Sequence, residues 1–213
     1  MRQATAWMMK HKLMHVMMER DRPKKLSEKV QVDDAYLGGR KKGKRGRGAD
    51  GKSPFIAAVE IQKVKNVKTG EKREIPTRIK LTIVNSFSGA DVEKWAKANL
   101  EPGCEVVSDG CRGFSGFKDA GFKRDEKIIG NPKKSENSKY IQWVNIVLGN
   151  LKTALKGTYK AHRRKYYQRY LSEFEYRFNR KYDLSTIFQR LMHVSVQTSP
   201  MPNKLLTFAE DSV

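Results

Sequence analysis

Long apolar runs are missing from this chain of 213 residues. No stretch of about 18 consecutive apolar residues exists, which excludes a helical membrane span. The N-terminal apolar residues are broken by Lys10, His11 and Lys12, which excludes a signal-peptide core. Cysteine is almost absent: Cys104 and Cys111 are too few for a disulfide scaffold or a zinc site of their own. Reduced, buried thiols and a cytoplasmic location are the expectation. There is no internal repeat. Acid is scarce as well, with 23 Asp and Glu against 44 Lys and Arg, for a formal net charge of +21. So basic a chain repels itself unless it meets a polyanion, and nucleic acid is the partner expected.

What is present is periodic. "TAWMMKHKLMHVMMER" has helical spacing, with Trp7, Met14, Met17 and Met18 on one side. His11 and His15 stand four apart on it, but no further ligand lies nearby to make a metal site. Pro23 ends the segment, and "RDRPKKLSEK" reads as a linker. Three strands are expected over 30–37, 54–62 and 78–84, joined by glycine- and lysine-rich loops in the manner of antiparallel hairpins. Ser88 caps a helix over 90–100. "CEVVSDG" is a short buried strand, "RGFSGFKDAGF" a short helix or turn, and "KIIG" a last brief strand. Helices follow over 140–156, 167–178 and 184–193, with a weakly structured tail. The expected class is α/β, a mixed sheet flanked by helices, in the element order of a ribonuclease-H-like fold.

That order brings Asp33, on the first strand, beside Asp109, at the end of the fourth, although 76 positions (109 − 33) separate them. Two carboxylates on neighbouring strand ends repel unless a cation lies between them. Oxygen ligands suit Mg²⁺ or Mn²⁺, ions that activate an attacking hydroxyl and stabilise a leaving phosphate oxygen. On the helix over 140–156, Asn145 borders the apolar face. Lys152 falls within about 20° of it at about 100° per residue, and Lys156 extends the strip. An amide oxygen can accept a metal or a water there, and a lysine can grip a phosphate as a point charge. Between the first two strands, Arg40, Lys41, Lys42, Lys44, Arg45 and Arg47 are spaced by glycines, so this loop can follow a phosphate backbone.

Four stretches, "VQVDDAYLGGRKKGKRGRGADGKSP", "VVSDGCRGF", "WVNIVLGNLKTALKGTY" and "YLSEFEYRFNRKYDL", together resemble the insertion-sequence transposases of the DDE superfamily. The closest group is the ISXO-like one, with its Asp, Asp, variable third residue and Lys. The resemblance implies catalytic positions at Asp33, Asp109 and Asn145, with Lys152 as the accompanying basic residue, and Asp34 as a supporting acid. It implies a divalent-metal-dependent polynucleotidyl transferase acting on double-stranded DNA, both transposon ends and target, as a homo-oligomer associated with the nucleoid. Metal-dependent end cleavage would be followed by transfer of a 3′-hydroxyl. Members usually begin with a zinc-binding segment and a helix-turn-helix, and only the end of the latter is recognisable here. The division expected is therefore a remnant DNA-binding helix and linker (1–29), a catalytic domain (30–193) and a tail (194–213). Two other readings stay open: a catalytically inactive DNA-binding remnant, and a structure-selective nuclease of the same fold.

Overall fold

A computed structural model describes residues 1–38, 51–65, 70–127, 140–159 and 163–208. Five strands form one sheet in the order β3-β2-β1-β4-β5. They are β1 (Lys29–Leu37), β2 (Ser53–Lys65), β3 (Lys72–Ile83), β4 (Glu105–Ser108) and β5 (Lys123–Glu126). The β1–β2 and β2–β3 pairs are antiparallel, and the β1–β4 and β4–β5 pairs are parallel. Helix α1 spans Gln3–Asp21, α2 Gly89–Asn99 and α3 Gly116–Asp119; then come α4 (Gln142–Thr158), α5 (Tyr167–Phe178), α6 (Ile187–Gln197) and α7 (Asn203–Leu206). The result is an α/β, ribonuclease-H-like fold. None of the described helices is long and apolar enough to cross a membrane.

The chain divides into two compact units. In the sheet unit, Lys25–Thr153, strand alternation sends Val30 and Val32 to one face. There they join Ile56, Ala58 and Val106, and pack with Val92, Trp95 and Ala96 of α2 and Phe117 of α3. The side chain of Ser88 accepts the Asp91 N–H and starts α2. Leu26, in the stretch read as a linker, is tied to the sheet unit: its N–H donates to the Asn99 carbonyl at 2.9 Å, and its carbonyl accepts from Glu101 at 2.8 Å.

Glu60 sits where the β2–β3 register shifts, and its carboxylate is 1% exposed. It accepts from Arg78 Nε at 3.1 Å and NH2 at 2.6 Å, from Thr77 Oγ1 at 2.7 Å and from the Ser27 N–H at 2.8 Å. Burial works against the charged form, but the bonds from Arg78, then Thr77 and Ser27, outweigh it and hold Glu60 below the usual glutamate range.

The helical unit joins Met1–Lys24 to the described residues from Ala154 onward. Val16 of α1 packs with Tyr176 of α5 and Leu191 of α6, flanked by Leu13, Met17, Ile187 and Val194. Arg180 grips Asp21 through both terminal nitrogens at 2.8 Å. His11 is fully buried among the rings of Trp7, Tyr166 and Tyr170, and neither of its ring nitrogens has a hydrogen-bond partner among the described residues. Burial first, and then the charges of Lys10 and Arg169, push its pKa down to about 4.

Three elements differ from the sequence expectation. A strand the sequence did not suggest, Lys123–Glu126, is the fifth of the sheet, while of the brief strand expected at "KIIG" residues 128–130 lie outside the described residues. Strand β3 begins at Lys72 rather than 78 and runs through Pro76. Among the described residues it pairs on one side only, as β3-β2, so a residue without an N–H is tolerated there. The tail contains the short helix α7, whose Leu206 is fully buried.

Candidate active site

The parallel β1–β4 ladder sets the geometry. Its register runs from Lys29↔Glu105 to Val32↔Ser108, so Asp33 and Asp109 are the next residues along the two chains. Asp109 stands just past the C-terminal end of β4, where open α/β sheets offer their side chains to ligands. Its Oδ1 accepts the Cys111 N–H at 3.0 Å, which turns the chain sharply away from the strand.

Arg124 of β5 holds this turn from beneath. Its Nε donates to Ser108 Oγ at 2.8 Å, and its NH2 donates to the carbonyls of Asp109 at 2.6 Å and Cys111 at 3.3 Å. The guanidinium is 4% exposed, with Glu126 at 3.3 Å. Past the turn, a Cβ on Gly113 would stand 1.7 Å from the Phe87 carbonyl oxygen, and one on Gly116 2.1 Å from that of Gly89. Only glycine lets this segment approach the start of α2 so closely.

One ligand atom from each of Asp34, Asp109 and Cys111 lies within 4.8 Å of the others. Asp34 thus stands closer to the centre of the site than its reading as a supporting acid suggests. Asp33 lies outside that trio, and its Oδ1 accepts the Asp34 N–H at 2.9 Å. Alternation along β1 puts Asp34 on the face of Val30 and Val32, and Asp33 on the face of Gln31. The two carboxylates of the trio are half-buried and suit a hard divalent cation. The thiol does not suit one, and Cys111 already serves Asp109 through its backbone.

Helix α4 approaches from the Gln31 face. The side-chain oxygen of Gln31 accepts the N–H groups of Trp143 at 2.9 Å and Val144 at 3.2 Å. Val144, Val147, Leu148 and Leu151 are buried along the helix, while Asn145, Lys152 and Lys156 are exposed. Arg40, Lys41, Lys42, Lys44, Arg45 and Arg47 lie outside the described residues.

Sequence reasoning missed Gln31, Arg124 and the inclusion of Cys111. Arg124 lies within "KRDEK", which reads as solvated charge. Gln31 carried a faint signal, as a polar residue between Val30 and Val32, both fully buried.

Residues 25–179, which are 155 (179 − 25 + 1) of the 213, match the family model of the ISXO2-like transposase domain. No curated protein matches the chain.

Proposed function

Because the chain belongs to the ISXO2-like transposase family, we propose that it cleaves the ends of a DNA element and joins the freed 3′-hydroxyl to target DNA. Asp33, Asp109 and Asn145 are the residues that would hold divalent metal, Mg²⁺ or Mn²⁺, with Asp34 beside them. Bound there, the metal supplies charge for an in-line displacement at phosphorus: it activates the attacking hydroxyl and stabilises the leaving oxygen.

The chain's own residues do the rest. Asp33 and Asp109 would offer oxygen ligands from neighbouring positions, one step beyond the paired register of β1 and β4. Lys152 grips a phosphate as a point charge. Lys156 and the basic loop from Arg40 to Arg47 hold the backbone without reading bases. The protein works on double-stranded DNA as a homo-oligomer and is associated with the nucleoid.

The observation that supports this reading most is the β1–β4 register, which ends one step before Asp33 and Asp109. Asp33→Asn, Asp34→Asn and Asp109→Asn, assayed on duplexes carrying the element's own ends, test it. Asp33→Asn and Asp109→Asn should abolish Mg²⁺- or Mn²⁺-dependent cleavage and leave DNA affinity intact. If Asp34→Asn abolishes cleavage and Asp33→Asn does not, the metal is held by Asp34 and Asp109 instead. An unmutated chain that binds duplex but never cuts it is a DNA-binding remnant.

A further inference from the structure

Helix α4 is capped from another part of the chain. The first N–H groups of a helix have no partner within it, and a capping side chain normally serves the second and third. Ile141, just before α4, has no side-chain acceptor. The second and third residues of the helix, Trp143 and Val144, donate instead to the single side-chain oxygen of Gln31, 112 and 113 positions away. Gln31 is 1% exposed, a costly place for an amide that did no more than fill space.

Its position in the chain gives the contact its meaning. Gln31 precedes Asp33 by two residues on β1, on the same face of the strand. Val144 immediately precedes Asn145. One oxygen therefore joins the strand that carries the first acid to the helical turn that carries the amide. Two donors converging on one acceptor fix both the axial position of α4 and its rotation about its own axis. A helix slipped by one residue would turn Asn145 away by about 100°.

We propose that Gln31 is a positioning residue of the site, setting the helix in register with β1 so that Asn145 reaches the metal held by the acids. The proposal rests on the reading of Asn145 as a ligand.

A double-mutant cycle in the full chain tests it. Gln31→Met keeps the bulk and loses the acceptor, Gln31→Glu keeps an acceptor oxygen at the same reach, and Asn145→Ala removes the amide. Mn²⁺ affinity is measured by calorimetric titration without DNA, cleavage at saturating duplex, and folding by thermal melting. Gln31→Met should weaken Mn²⁺ binding and slow cleavage by about tenfold or more, as loss of a residue supporting a ligand does. Gln31→Glu should recover most of both. In an Asn145→Ala background, Gln31→Met should add less than about twofold.

Equal losses in both backgrounds overturn the proposal, because Gln31 would then act independently of Asn145. Unchanged Mn²⁺ affinity in a folded Gln31→Met overturns it too. If Asn145→Ala alone changes neither readout, the ligand reading fails and the proposal falls with it. Should Gln31→Met not fold, Gln31→Asn takes its place in the cycle, keeping the amide but shortening its reach, with the same outcomes decisive.

Discussion

Arg124 donates to the backbone carbonyl of Asp109 at 2.6 Å, from a guanidinium almost entirely out of solvent. The contact leaves the Asp109 carboxylate to its own work and fixes the main chain that carries it. Arg124 also reaches Ser108 and Cys111, so three supports of one turn depend on the fork geometry of arginine.

Arg124→Lys keeps the charge and loses the fork. Metal-dependent cleavage should fall by about tenfold or more, while affinity for random duplex stays as it was. A lysine variant that cuts at the unmutated rate would show that the turn holds itself.

The buried carboxylate of Glu60 gives a stability prediction. Glu60→Ala leaves Arg78, Thr77 and Ser27 without their shared acceptor, and should cost about 3 kcal/mol in urea unfolding of the chain. Its folded pKa is depressed, so its contribution is present above the ordinary glutamate range and fades as pH falls through the folded value. In Glu60→Ala the unfolding midpoint should change less between neutral and acid pH than in the unmutated chain.

His11 gives a dependence in a different window. It is neutral when folded until about pH 4, whereas an unfolded histidine takes its proton near pH 6.5. The unfolded state therefore binds more protons between these values, and stability is lost as pH falls from about 6.5 to 4. The full effect is on the order of 3 kcal/mol. His11→Phe keeps the ring among its aromatic neighbours and should flatten that part of the melting-temperature profile; an unchanged profile would exclude His11 as its source.

Two glycines should respond in opposite directions. Gly116→Ala drives a Cβ to 2.1 Å from one backbone oxygen and 3.0 Å from the Glu93 nitrogen, and should cost about 1–3 kcal/mol or more. Gly149 lies within α4, and nothing among the described residues comes within 4 Å of an added Cβ. Gly149→Ala should stabilise by about 0.5–1 kcal/mol. Paired denaturant curves decide both.

How far the sequence could be read depended on how local each signal was. The order of elements is legible because β1, β2 and α4 each carry an apolar pattern that pairs with no competing period. The ribonuclease-H-like class follows from that order. Strand β5 is illegible for the opposite reason. "KRDE" has four charged residues and enters the sheet through its backbone, in register with β4, while the apolar "KIIG" beside it offers the stronger side-chain signal. Pro76 hides the start of β3, because only the sheet order reveals that it stands on an edge strand. At the site, the register carries Asp33 and Asp109 to neighbouring steps, but the trio of Asp34, Asp109 and Cys111 depends on a turn that alternation does not describe. Gln31 and Arg124 are hidden because their partners are set by three-dimensional packing, across more than a hundred residues for Gln31.

Helix α1 shares its small core with α5 and α6, and this has a consequence for synthesis. During translation α1 is made long before α5 and α6, and it has neither of them to pack against until they emerge. The strands of the sheet unit are complete before α5 and α6 are made, so that unit can fold first. Loss of α1 and loss of α6 should therefore look alike to a protease, since either one uncovers Tyr176, together with Leu191 in the first case and Val16 in the second.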